Sequence, residues 1–248
     1  MYLVISPDGQ LDQLINYLQK DKIKAIPIPL MNFIINQKNI KQLKDIINDF
    51  EYVIFNSPTA IHICSDVIKN ATYPTFLTVG EASAIRLKGL TTLPIIYPLR
   101  NSGADNLFEE KLKYLDFKNK KILIVKGVGG SNTLKKKLSL IKANWQEIDI
   151  YIRNKKYIDV SFIKKSLTSK ELQGIIITSS ILVEWLFSNA KEHDYLDILL
   201  NKQFFTIHNN IAEKLLNYGV SKVFISNKAD QYSLVNLVKE FSNDGSNY

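Results

Sequence analysis

One arrangement occurs six times along the chain: four or five apolar, often β-branched residues, a turn of small polar residues, then apolar positions at helical spacing. The first copy is Tyr2-Leu3-Val4-Ile5, then SPDGQ, then Leu11, Leu14, Ile15 and Leu18, with the helix ending near Lys22. The others begin at Tyr52-Val53-Ile54-Phe55 before NSPTA, Phe76-Leu77-Thr78-Val79 before GEASA, and Ile122-Leu123-Ile124-Val125 before KGVGG. Two more follow, Ile175-Ile176-Ile177 before TSSIL and Phe204-Phe205-Thr206-Ile207 before HNNIA. Strands without polar alternation are buried on both faces, so the expected class is α/β, with mostly parallel sheet covered by helices. Ligands of such sheets sit at the carboxyl ends of the strands.

The copies pair up. FLTVGEASAIRLKGL resembles FFTIHNNIAEKLLNYG, and VIFNSPTAI resembles IIITSSILV, which reads as a duplication. In chain order the halves interleave, so the expectation is a discontinuous first α/β domain from residues 1–32 and 156–248 and a second from 36–148. Two linker strands, 26–35 and 147–156, would join them as a hinge, with the ligand cleft between the domains. IPIPLMNFI (26–34) and EIDIYIRN (147–154) are extended by β-propensity and, in the first, by Pro27 and Pro29.

At 248 residues, 46% hydrophobic and 23% charged, the chain has material for two small domains. Its apolar runs fall far short of the roughly 20 residues that cross a bilayer, and Met1 leads straight into a strand pattern, so no membrane and a cytoplasmic setting are expected. The single cysteine, Cys64, fits a reducing compartment. The formal charge is +8, but among 32 basic residues only Arg86, Arg100 and Arg153 are arginines, the residue preferred for base and phosphate contacts. An acidic small molecule fits that charge as well as nucleic acid does.

The glycine turn KGVGGSN has the outline of a phosphate site and fails both phosphate motifs. A Walker loop needs lysine and a hydroxyl after its last glycine, and a dinucleotide fingerprint needs glycine where Asn132 stands. Glu147, 20 residues after Gly127, could still act as a ribose-binding acid, which keeps a nucleotide-dependent oxidoreductase open as an alternative. Ser131 or Asn132 could equally cap the next helix without any ligand. His62, His193 and His208 are isolated, Cys64 lies off the face of His62, and no nucleophile elbow or paired carboxylate is present, so no metal site and no conventional hydrolase is read. What remains is a set of turns, Asn56-Ser57, Glu81-Ala82-Ser83, Gly127 to Ser131, Thr178-Ser179-Ser180 and Asn209-Asn210. Each could serve as an ordinary N-cap, yet together at one sheet edge they would line a cleft with neutral donors suited to a multiply charged anion.

Taken together the motifs resemble the uroporphyrinogen-III synthase family along nearly the whole chain. The resemblance is carried by VIFNSPTAI (53–61), TVGEASAIRL (78–87), YPLRNSGADNLFE (97–109), ILIVKGVGGSNTL (122–134), IDIYIRN (148–154), IIITSS (175–180) and HNNIAEKLLNYGVSKVFISNKADQYSLVNLV (208–238). It implies two α/β domains joined by a two-stranded ladder. It also implies a cofactor-free, cytoplasmic, monomeric lyase of porphyrin and haem biosynthesis, with no nucleic-acid or membrane partner. The implied substrate is hydroxymethylbilane, closed with loss of water and inversion of ring D through a spiro intermediate. Tyr151 matches the family tyrosine proposed to help the hydroxyl leave. Ser57, Ser83, Thr178, Ser179 and Ser180 match hydroxyls lining the cleft, beside Pro58 and Ala84, and Gly127, Gly129 and Gly130 match the amide-presenting turn. The family often has arginine where this chain has Ser6 and Ser131, and Gly-Pro-Thr-Thr-Ala where it has His208 to Ala212, leaving Asn210, Ile211 and the amides there. Arg153, two residues from Tyr151 on a predicted strand, is the candidate charged substrate contact. A two-domain protein that only binds a small anion is the other alternative.

Overall fold

The computed structural model describes residues 1–244 except Asp8, Gly9, Asn101, Gly130 and Ile158. The chain divides into two compact units, Met1–Asn32 with Asn154–Tyr248, and Phe33–Arg153. In chain order the strands are β1 (Tyr2–Ile5), β2 (Ala25–Pro27), β3 (Met31–Ile35), β4 (Tyr52–Phe55), β5 (Thr75–Thr78), β6 (Ile95–Ile96), β7 (Lys121–Gly127), β8 (Asn144–Lys155), β9 (Gly174–Ile177), β10 (Phe204–Thr206) and β11 (Val223–Ile225). The helices are α1 (Leu11–Lys20), α2 (Gln37–Ile46), α3 (Pro58–Ile63), α4 (Ser65–Lys69), α5 (Glu81–Lys88), α6 (Ala104–Glu110), α7 (Thr133–Leu140), α8 (Val160–Thr168), α9 (Ser180–Glu192), α10 (Leu196–Leu200), α11 (Asn209–Asn217) and α12 (Gln231–Asp244).

The first unit's sheet runs β11-β10-β9-β1-β2, with every pairing parallel. The second unit's sheet runs β6-β5-β4-β7-β8, again parallel, with β3 added beside β8. Strand for strand the two orders match: β1 corresponds to β7, β9 to β4, β10 to β5. The apolar runs explain the layering, because successive residues of one strand feed opposite faces. Val53, Phe55, Leu123 and Val125 enter one buried cluster, whereas Ile54, Ile122 and Ile124 enter the other. Each such buried aliphatic side chain is worth about 1.5–3 kcal/mol of removal from water.

One sequence expectation changes. IPIPLMNFI is not one extended connector: Ala25–Pro27 pairs with β1 at the edge of the first sheet, where a proline's missing amide is tolerated, and the chain turns before β3. The turn is fixed by Ile28 N donating to Val4 O at 2.8 Å and by burial of Ile28 and Leu30. Helix α1 stops at Lys20, because Lys22 takes a positive φ of 59°.

Candidate active site

The site of the second unit begins with an irregularity in β8. The parallel register with β7 pairs Lys126 with Asp149 and then Gly127 with Tyr151, so one extra residue, Ile150, is inserted. The bulge breaks the in–out alternation, and Ile148, Ile150 and Tyr151 are all buried. Val128 N closes it by donating to Tyr151 O at 2.8 Å. The Tyr151 ring then lies flat against the chain at Gly127. A Cβ there would stand 2.3 Å from Tyr151 Cε2, so only glycine fits. Phe33 supports the ring edge-on at a centroid distance of 5.0 Å.

The hydroxyl at the far end of that ring is shared. Ser57 Oγ lies 3.2 Å from Tyr151 Oη, and Arg153 Nη2 donates to the same oxygen at 3.4 Å. Ser57 is itself fixed, because it N-caps α3 by accepting from Ala60 N at 3.1 Å, with Pro58 at the first helical position. The Arg153 guanidinium also packs over the Tyr151 ring, 5.5 Å from its centroid, and donates to Val128 O at 3.3 Å.

These groups line a cavity of about 230 Å³ with Asn56, Val79, Ala104, Lys126, Gly127, Gly129, Ser131 and Leu134. Its charges are partly neutralised. Lys126 Nζ is 2.8 Å from Asp149 Oδ1 and 3.7 Å from Glu147 Oε2, and Lys135 Nζ is 3.1 Å from Glu147 Oε2. Arg153 makes no ion pair among the described residues. Asn56 Oδ1 is buried with no hydrogen-bond partner. Cys64 is fully buried in the core cluster that also holds Tyr151, and burial pushes its thiol up to about 12.

Of the residues singled out in the sequence, Ser57, Gly127, Gly129, Tyr151 and Arg153 meet in this cavity, and Gly130 lies outside the described residues. Ser83 and Ala84 are buried in the first turn of α5, whose N-cap Gly80 makes no side-chain capping bond. In the first unit, Thr178 is buried and its Oγ1 lies 2.7 Å from Ser6 Oγ, so its hydroxyl is engaged internally. Ser179 and Ser180 open α9, while Asn210 is exposed and Ile211 buried at the start of α11. Ser131 rather than Asn132 serves the start of α7, its Oγ accepting from Thr133 N at 3.1 Å. Sequence reasoning misses Lys126. Its signal is faint: a lysine closing an apolar strand immediately before the glycine turn.

Glu147 does not suit a ribose-binding role, since two lysines hold its carboxylate. The comparison with protein families agrees. The family described as uroporphyrinogen-III synthase HemD matches residues 12–236. The chain belongs to the uroporphyrinogen-III synthase family. Members of this family are enzymes of tetrapyrrole biosynthesis with cyclising lyase activity, and the nucleotide-dependent and binding-only alternatives are not favoured. Among solved structures, a mutant uroporphyrinogen III synthase from the extremely thermophilic bacterium Thermus thermophilus is similar at a TM-score of 0.60 and 13% identity, over 98% of this chain and 99% of that one. Uroporphyrinogen-III synthetase from Helicobacter pylori is similar at a TM-score of 0.58 and 16% identity, over 97% and 99%. At such identities the likeness is one of fold. No curated protein matches the chain. Among the described residues no helix is long and apolar enough to cross a membrane, and no group of three or more His, Cys, Asp and Glu side chains could hold a metal ion.

Proposed function

We propose that the chain closes hydroxymethylbilane into uroporphyrinogen III, with the cavity around Tyr151 holding the part of the substrate that reacts. The observation that carries this reading is the Tyr151 hydroxyl, held between Ser57 and Arg153 at the wall of a cavity whose arginine lacks a counter-ion among the described residues. At about 230 Å³ the cavity is smaller than the roughly 300–1,000 Å³ of a drug-sized ligand, so it takes one substituted ring and leaves the other three outside it.

The chemistry asks little of the protein in acid or base strength. The lone pair of the pyrrole nitrogen expels the terminal hydroxyl, and Tyr151 assists by donating a hydrogen bond to it. The azafulvene so formed attacks the substituted carbon of ring D, and the resulting spiro intermediate fragments and recloses. The hydrogen on the free α-carbon of ring D leaves as a proton and completes the departing water. Without guidance the open chain closes uninverted, so the protein's task is to hold one geometry over another. Fixed, mostly neutral donors such as Ser57 and the Gly129 amide suit that task. Ser83, Ser179, Ser180 and Asn210 are proposed as further substrate contacts. The same reading makes the protein a cytoplasmic monomer that uses no cofactor and binds no nucleic acid.

The test is a coupled assay in which freshly generated hydroxymethylbilane is supplied, products are oxidised, and type I and type III uroporphyrins are separated by chromatography. Predominantly type III product is expected. Type I alone, at the rate seen without protein, would refute the reading. Tyr151→Phe, which keeps the ring packed on Gly127, should lower the type III rate by about 10²-fold, within the range of one lost proton-donating group.

A further inference from the structure

Tyr151 is only 1% exposed, so its hydroxyl is covered as the chain stands. One of its two polar neighbours cannot be spared. Ser57 is tied to the start of α3 by its bond from Ala60 N. The other is held loosely: both bonds of the Arg153 guanidinium, at 3.3 and 3.4 Å, are longer than the usual 2.7–3.2 Å, and both go to uncharged oxygens. The lysine of the same cavity, Lys126, has two carboxylates; Arg153 has none among the described residues. A guanidinium gains far more from a bidentate carboxylate than from two long bonds to neutral acceptors.

We infer that Arg153 is a carboxylate-sensing positioning residue: a substrate carboxylate draws its fork away from Tyr151 Oη and Val128 O, and so uncovers the Tyr151 hydroxyl for the reacting end of the same molecule. The inference rests on the proposed reaction and adds to it an order of events, carboxylate capture first and exposure of the hydroxyl second. Arg153 acts on the reaction through Tyr151. Ser57 keeps the uncovered hydroxyl aimed, because its Oγ stays in place when Arg153 leaves.

The experiment needs no turnover. Protein labelled with ¹³C in its tyrosine rings, with the Tyr151 signal assigned from Tyr151→Phe, is titrated with a monopyrrole bearing one acetate and one propionate, and separately with its dimethyl ester. The diacid is expected to move the Tyr151 signal and the diester to leave it in place. In Arg153→Gln the signal should no longer respond, and half-saturation by the diacid, followed by calorimetry, should need at least about tenfold more ligand, as for a lost charged hydrogen bond. Arg153→Lys, which keeps the charge without the fork, should recover part of the affinity. A Tyr151 signal that moves equally in Arg153→Gln, or that the diacid never moves in the unaltered protein, overturns the inference. The isomer assay on the unaltered protein reports independently on the reaction, so failure of the two readings is told apart.

Discussion

The two units carry the same strand order and differ most at one matched pair of strand ends. The register of β1 with β9 places Ser6 beside Thr178, and that of β7 with β4 places Lys126 beside Asn56. In the first unit the pair closes on itself: two buried hydroxyls, 2.7 Å apart, satisfy each other. In the second the pair stays open. Lys126 reaches out to Asp149 and Glu147, Asn56 Oδ1 is left without a partner, and a cavity forms above them. Identical topology therefore does not dictate equal chemistry. A short hydroxyl pair seals a strand end, while a long cation and an amide keep it available.

The strongest way to break the contrast is to fill the contact on which the open end depends. Gly127→Ala drives a methyl into the Tyr151 ring, and should cost about 1–3 kcal/mol in stability and lower the type III rate by at least about 100-fold. Gly129→Ala meets nothing within 4 Å and is strained only by a φ of 75°, so about 1 kcal/mol is expected. Chemical denaturation and the isomer assay check both variants.

The closed end can be opened instead. Ser6→Ala leaves the buried Thr178 hydroxyl without its partner and should destabilise the protein by about 1–3 kcal/mol, whereas Ser6→Ala with Thr178→Val removes both polar groups and should recover most of that loss. A double-mutant cycle measures the coupling directly. If the single and double variants unfold alike, the hydroxyl pair is not what seals the first unit.

A pH-dependent effect sharpens the comparison by reporting on the second unit alone, through Cys64. Its native thiol keeps its proton up to about 12, while an unfolded thiol releases it near 9. The contribution is therefore complete below pH 9 and is lost as pH rises from there towards 12, at no more than about 1.4 kcal/mol per pH unit. Cys64→Ala should flatten that alkaline limb relative to the unaltered protein. Below pH 9 the native thiol should resist a thiol reagent until the second unit opens.

Much of the fold is legible because it is written in continuous apolar runs; β1, β4, β7 and β9 could hardly be anything but doubly covered strands. Less legible are the edge pieces. Pro27 and Pro29 point to an extended chain without saying what it pairs with, and the free edge beside β1 takes up Ala25–Pro27. At the site, Tyr151, Ser57 and Arg153 can be singled out from sequence, but the pairing of their side chains across about a hundred residues depends on register, which single-residue properties do not encode. Lys126 is hidden for the same reason. A lysine in sequence reads as surface, and its burial follows only once β8 lays Asp149 and Glu147 alongside it.

The bulge in β8 makes the length of that strand a functional quantity. Without the extra residue in the register, residue 151 would follow the ordinary alternation from Ile148 and point away from the buried cluster that now holds it, so the bulge is what turns the Tyr151 ring towards Gly127. A change of letter here alters one contact, while a slip of pairing that straightened the strand would take the tyrosine ring off Gly127 in one step.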